Sequence, residues 1–484
     1  MPFLKVPVNV AYWSNVEEEA RSIVAEERYD VIKDTLGATV RRPCLKEFYD
    51  GLPAAADGLY YWDETDLCYV VSNGNLYSID IDANLTLIGS DLFNLNTPVI
   101  WDKSGDFTLV VTGSTKKLFA ANGGRIVKYD KTTASKITEG AAPELCTHVV
   151  IFDSYGIANE RGHVQYEESA LLSEVADPDN YDGEFFSAEN KSDEVIAVHS
   201  EWDEVALFGT ESIEPFYNDG STPITKIPGG NTPDGTRSPY SIKFADNAYF
   251  YLNKDRQVVR LDGRQPLPIS QPVDDILDIG NDAIAQASRG EIVTLGKKQF
   301  YLLTINGQTL VYDIQLREWA GKWATWDKTY ARYGAFKGRN IVNIKQWNKT
   351  LCTDPDTGKI YELTYDLNQD VGEEVRSSVV TGNIDHGTGR EKRSNELRLR
   401  LKRGQAARLT IDDVEPVMLV RWNDNGSGIW SNYREVPLGF TGDGEFYYSL
   451  FQLGSYRARQ YEFVVTDNVP FSIVEVEEDV EFQR

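Results

Sequence analysis

The residues able to do chemistry are few and scattered. The four histidines (His148, His163, His199, His386) and four cysteines (Cys44, Cys68, Cys146, Cys352) lie far apart in the chain. No C-x-x-C pair occurs and the histidines follow no ligand spacing, so the pattern predicts neither a zinc site nor a disulfide framework. Asp80, Asp82 and Asn84 imitate the first ligands of a calcium loop. Leu85, however, stands where that loop needs glycine, and no glutamate closes it at the twelfth position. The stretch reads as a hairpin turn, as do the Asp354-Pro355-Asp356 and Asn423-Asp424-Asn425 stretches. No nucleophile elbow, phosphate loop, zincin motif or dinucleotide fingerprint is present. A retaining glycosidase needs two carboxylates about 5 Å apart, and no spacing singles out such a pair among 75 acidic residues. Trp202, Trp319, Trp323 and Trp326 offer surfaces for sugars, but at strand ends they read as packing or interface residues. The sequence therefore predicts no catalytic residue, no metal and no cofactor.

The elements that would carry these residues are strands. Tyr (26), Phe (20) and Trp (10) are abundant, and hydrophobic residues make up 41% of 484. Aromatic and β-branched side chains suit a pleated, half-buried surface. The 49 Lys and Arg against 75 Asp and Glu leave a net charge of −26. Such a chain does not bind nucleic acid by neutralising phosphates; it repels it. The opening residues hold one lysine and no apolar core, so no signal peptide is expected, and no run is long and apolar enough for a membrane span.

From about residue 57 one unit recurs: apolar strand, polar turn, apolar strand, Gly/Asn/Asp turn, strand. In residues 57–80 the Asn73-Gly74 pair between alternating runs is a strong hairpin signal, because both positions take positive φ. Seven such units follow one another, with their last strands near Leu76, Val127, Val164, Ile213, Val258, Leu310 and Ile360. The spacing approximates the 40–50 residues of a propeller blade. Residues 1–56 read as an extended, partly helical arm, with a helix over 17–33, and residues 57–370 as a β-propeller of six or seven blades. Residues 371–484, which include the alternating Glu396-Leu397-Arg398-Leu399-Arg400-Leu401, read as a small antiparallel β-sandwich. The fold class is thus all-β. Two stacked sandwiches would show the same local hairpins; the persistence of the period without a linker favours the propeller.

Two passages resemble the tail hub, or packaged-DNA stabilisation, proteins of short-tailed bacteriophages. In the first, Asp177, Pro178, Tyr181, Phe186, Ala188, Glu189, Asp193, Trp202, Phe208, Gly209, Ile213, Glu214, Phe216 and Gly220 fit the family's central string. In the second, Leu419, Trp422, Asp424, Gly426, Trp430, Ser431, Gly439, Gly442, Leu453, Gly454, Tyr456, Arg457, Phe463 and Asp467 fit its C-terminal string. Residues 14–28 resemble the family's opening only loosely, without its Asn-Leu-Tyr-Pro string. The resemblance implies a non-enzymatic virion subunit, assembled in the host cytoplasm into a six-membered ring under the portal and its adaptor. Such a ring extends the DNA channel, retains packaged genome and carries fibres or spikes and a needle or plug. Its expected partners are copies of itself, the adaptor, and the fibre, spike and needle proteins; DNA passes without specific binding. Tyr330, Tyr333 and Trp430 are the candidate interface residues, with ordinary packing as the plain reading of each. The rival expectation is a propeller that degrades or binds polysaccharide.

Overall fold

The computed structural model describes residues 3–13, 24–105, 116–163, 165–189, 191, 193–220, 224–278, 281–402, 414–444 and 446–483. Strands dominate them; the α-helices are two short ones, Asp274–Leu277 and Asp282–Gln286. None is long and apolar enough to cross a membrane.

Six four-stranded antiparallel sheets stand alone, and a seventh four-stranded unit heads a ten-stranded sheet. In chain order these blades occupy 56–89, 100–136, 149–187, 195–226, 243–268, 289–327 and 339–364. The seventh is completed from the other end of the chain: Cys44–Asp50 pairs antiparallel with Lys359–Thr364. A single four-stranded sheet has two apolar faces and cannot bury both by itself. Here each blade shares one apolar layer with the next. Tyr69, Val71 and Phe119's neighbour Leu118 bury between the first and second blades, and Phe119 and Ala158 between the second and third. Leu172 and Leu207 follow, then Phe208 and Tyr251, then Phe250 and Tyr301, then Phe300 and Tyr361. Val70 and Leu351 close the circle between seventh and first. The ring therefore has seven blades among the described residues, the upper of the two numbers the repeat spacing allows.

The turns obey the sequence chemistry. Asn73 and Gly74 take φ of 50° and 75°, and Ser72 pairs with Asn75 across them. The Asp80 carboxylate accepts from the amides of Asp82 and Asn84 at 3.0 and 2.8 Å, so the calcium-like stretch is a self-satisfied turn.

Beyond the sixth blade the sheet continues. Tyr29 in Ala25–Tyr29 pairs parallel with Lys322 of that blade, and Ser377–Thr381, Arg459–Val465, Val417–Asp424 and Arg434–Pro437 extend the sheet outward. This extension packs on a second sheet built from Phe3–Lys5, Val31–Lys33, Thr39–Arg41, Lys392–Lys402, Phe446–Phe451, Ser455–Tyr456 and Ser472–Phe482. Leu397, Leu399 and Leu401 point into one shared core with Met418, Val420, Phe463 and the N-terminal Val6 and Val8. The C-terminal strands thus form the expected β-sandwich, with N-terminal strands woven into it. The helix expected over 17–33 is corrected for 24–33: these residues form the strands Ala25–Tyr29 and Val31–Lys33. Its apolar stripe was partial, and pairing with Ser377–Thr381 and Thr39–Arg41 outweighs local propensity. The remainder of that helix, and residues 14–23 of the loosely matching opening, lie outside the described residues.

The junction of propeller and sandwich depends on a glycine. Gly321 has φ of 125°, and a Cβ there would lie 2.5 Å from the Arg28 carbonyl oxygen and 2.6 Å from the Arg28 Cβ. Both backbone conformation and space demand glycine. Gly321→Ala is expected to cost about 2–3 kcal/mol, measured by denaturant unfolding, with loss of the linkage between the two sheets as the cause.

Candidate assembly interface

The ten-stranded sheet runs without a break from the sixth blade into the sandwich, so side chains on one of its faces form a row shared by both. Near the blade end, Trp326 and Tyr333 are cross-strand partners with ring centroids 4.8 Å apart. Tyr333 stacks flat on Tyr29, centroids 3.8 Å apart and planes 2° from parallel. The Arg376 guanidinium lies 4.9 Å from the centre of Trp326 and donates to the Tyr333 hydroxyl at 2.7 Å. It also donates to the Tyr433 hydroxyl at 3.2 Å and to Glu462 at 3.2 Å. Arg421 ion-pairs with Glu462 and sits 4.6 Å from Tyr433 and 4.7 Å from Trp430. The result is one ladder of alternating aromatic rings and guanidinium groups from Trp326 to Trp430.

Its physical character follows from those contacts. Guanidinium groups keep their charge and stack on aromatic faces, so they hold large rings in place at a half-wet surface. Arg376 is held well above its ordinary range: Tyr333, Glu462 and Tyr433 outweigh the opposing cost of burial. Burial pushes the Tyr333 hydroxyl up as well, so it stays protonated. This is binding and docking chemistry; nothing in the ladder is a nucleophile poised against a base.

Each residue anticipated from the sequence has a definite place. Tyr330 is 71% exposed at the turn beyond the blade, with the Arg332 guanidinium 5.0 Å from its ring centre. Tyr333 is half-buried and committed to Tyr29, Arg376 and the Ser378 hydroxyl. Trp430 is half-buried at the far end, beside Ile429, which is 77% exposed. The four tryptophans weighed as sugar platforms divide: Trp319 and Trp323 are core residues. Trp202 packs against Phe244 and Tyr249, and Trp326 belongs to the ladder. Arg376, Arg421 and Tyr433 escaped the sequence reading. Their only signal is position: Arg421 directly precedes Trp422 in the C-terminal string, and a lone arginine in a strand carries no mark of stacking.

All four cysteines are buried and free, and burial pushes Cys44 to about 12 and the other thiols higher still. Thiols so raised are poor nucleophiles. Among the described residues no three His, Cys, Asp or Glu side chains are grouped to hold a metal ion.

Compared with known proteins, residues 28–368 match the model of the phage stabilisation family, described as the bacteriophage P22 Gp10 β-propeller. The match spans well over half of the chain. The protein belongs to this family. As a phage stabilisation protein it is a virion structural protein of the propeller type. No curated protein matches it by sequence. Among solved structures, the computationally designed Ika8 protein aligns with a TM-score of 0.37 and 10% identity, over 66% of this chain and 99% of its own. The extracellular domain of the putative hybrid two component system BT4673 from B. thetaiotaomicron gives 0.43 and 10%, over 83% of this chain and 48% of its own. Dihydro-heme d1 dehydrogenase NirN in complex with DHE gives 0.40 and 12%, over 69% and 73%. None of these three alignments bears on function.

Proposed function

We propose that this phage stabilisation protein is the hub, or nozzle, subunit of a short phage tail. It joins copies of itself in a ring below the portal–adaptor complex, extends the DNA channel, and offers its outer surface to fibres, spikes and a needle or plug. The observation that carries this reading is the aromatic–arginine ladder spanning propeller and sandwich on one continuous sheet. Protein interfaces are enriched in Trp, Tyr and Arg, and a row that bridges two domains fixes their relative angle while presenting one face. The net charge of −26 supports a channel role, because carboxylates near passing DNA repel phosphate. Screening confines that repulsion to about 10 Å. The work is done by shape and interface, with no chemical step.

The test is solution mass, alone and with the portal–adaptor complex. The expected result is a monomer alone and about six copies on the complex, joined by heterologous, ring-closing contacts. Tyr330→Ala combined with Trp430→Ala is expected to weaken ring formation about ten-fold or more without lowering the melting temperature appreciably. A chain that stays monomeric with the complex present would refute the hub reading, and a double variant that assembles normally would refute the part of Tyr330 and Trp430 in it.

A further inference from the structure

At the Trp430 end the sandwich face sinks into an open groove of about 410 Å³. Its floor is one cross-strand row: Glu27 pairs with Val380, Val380 with Glu462, and Glu462 with Arg421. Trp430 and the turn glycines Gly426 and Gly428 form one wall; Glu26 and Gln460 lie along the floor beside the row. The charged side chains lining the groove are three carboxylates (Glu26, Glu27, Glu462) and one guanidinium (Arg421).

The four are not equivalent. Glu462 is already paired with Arg376 and Arg421, and Glu26 accepts from Gln460. Among the described residues the Glu27 carboxylate has no hydrogen-bond or ion-pair partner. Its carboxyl is pushed up by the surrounding protein, with the neighbouring Glu26 and Glu462 adding to the effect and Lys322 and Arg376 opposing it. Asn383 places a second unpartnered acceptor, its buried Oδ1, in the same lining. The groove therefore offers two open acceptors, an excess of carboxylates over cations among its lining side chains, and an indole wall beside which Arg421 already sits. A guanidinium or ammonium group supplies what is missing: donors for the open acceptors and charge for Glu27.

We infer that this groove receives a basic side chain, an arginine or lysine on an extended segment of a partner protein. The inference deepens the assembly role proposed above by giving the partner's chemistry. Arginine is the better fit, because its planar fork offers two parallel donors to a carboxylate.

The test uses the full chain and a fluorescein-labelled pentapeptide, Ser-Arg-Ser-Arg-Ser, beside its citrulline analogue, which keeps the shape and loses the charge. Fluorescence anisotropy at low salt is expected to give at least about ten-fold tighter binding of the arginine peptide. Glu27→Gln, an exposed position that does not threaten folding, is expected to weaken it about five-fold, and Trp430→Leu about ten-fold. Glu64→Gln, a distant surface change, is expected to leave it unaltered. Equal affinity for the two peptides, binding insensitive to Glu27→Gln and Trp430→Leu, or equal losses on Glu64→Gln would overturn the inference. So would displacement of the peptide by a neutral disaccharide. Ring assembly measured on the same samples separates the two readings: normal assembly with no peptide preference removes only the groove, and peptide binding without assembly removes only the hub.

Discussion

Arg42→Met is expected to destabilise the protein by about 3–5 kcal/mol, read as a shift in denaturant midpoint. The Arg42 side chain is wholly buried, as is that of Asp30, while Asp370 is 13% exposed. Its Nε donates to Asp30 at 2.6 Å, and its two terminal nitrogens grip Asp370 at 2.6 and 3.1 Å. It also donates to the Ala324 carbonyl at 3.0 Å and the Pro43 carbonyl at 2.8 Å, and lies 4.8 Å from the centre of the Phe336 ring. One side chain thus ties the sandwich segment at Asp30 to the sixth blade at Ala324, the entry to the seventh blade's outer strand at Pro43, and the hairpin at Asp370.

The size of the effect comes from what is left behind. Methionine fills similar space, but it leaves Asp30 in a dry site with only the Ala324 amide, at 2.8 Å, as a donor to its side chain among the described residues. Burial already pushes its carboxyl up to about 6 despite Arg42. Without the guanidinium it is expected to take up a proton near neutral pH, so the penalty of Arg42→Met is larger at pH 8 than at pH 5. The variant combining Arg42→Met with Asp30→Asn removes the stranded charge and is expected to recover part of the loss; a double-mutant cycle measures the coupling. Full additivity of the two single changes would show that the pair does not act as a unit.

The sequence made the blades legible because each is local. A hairpin such as 67–79 announces itself by alternation and by Asn73-Gly74, whatever the rest of the chain does. The seventh blade's outer strand, Cys44–Asp50, and the sandwich strand Ala25–Tyr29 pair with partners some 300 residues away. No local pattern reports such pairing, and the short polar AEERY run suggests a helix as readily as a strand. The matching strings divide in the same way. Asp193 caps the amides of Glu211 and Ser212 at 2.7 and 2.9 Å, Tyr181 is buried, and Asp424 clamps the buried Arg459 at 2.6 and 3.0 Å. These residues build turns and domain contacts, so the strings speak for architecture. Trp430 was legible as a candidate because a tryptophan beside a Gly/Asn-rich turn is conspicuous. Arg376 and Arg421 were not, since stacking on rings from three strands is a property of the sheet and leaves no trace in spacing.

The second large effect is on acid stability, and its source is a histidine pair between blades. His148, at the start of the third blade, is fully buried, and its ring lies 5.6 Å from that of His199 in the fourth. Tyr240 stacks on its other side at 5.8 Å. Among the described residues neither Nε2 has a partner with hydrogen-bond geometry, and both are shielded from water; the Pro239 carbonyl near His148 only weakly favours its protonated form. Burial holds His199 down at about 3, with Lys243 adding to the effect. Burial, then His199, Arg161 and Lys243, hold His148 well below its ordinary range. A folded pKa below the unfolded value of about 6.5 means that the unfolded chain binds these protons first. The stability this neutrality provides is present above pH 6.5 and is lost as pH falls towards about 3. Each histidine is expected to withdraw about 2 kcal/mol between pH 7 and pH 5. Asp30 and Asp102, both raised to about 6 by burial, act the other way over the same interval, because the folded state takes up their protons first. The wild-type slope is therefore muted, and the histidine contribution emerges only as a difference. The variant combining His148→Gln with His199→Phe, compared with wild type by urea unfolding, is expected to gain about 4 kcal/mol in relative stability from pH 7 to pH 5. A difference that stays constant over that interval would mean that the two imidazoles are solvated or paired in solution, and that the seam between the third and fourth blades opens more readily than the packing of Val198, Leu207 and Leu172 allows.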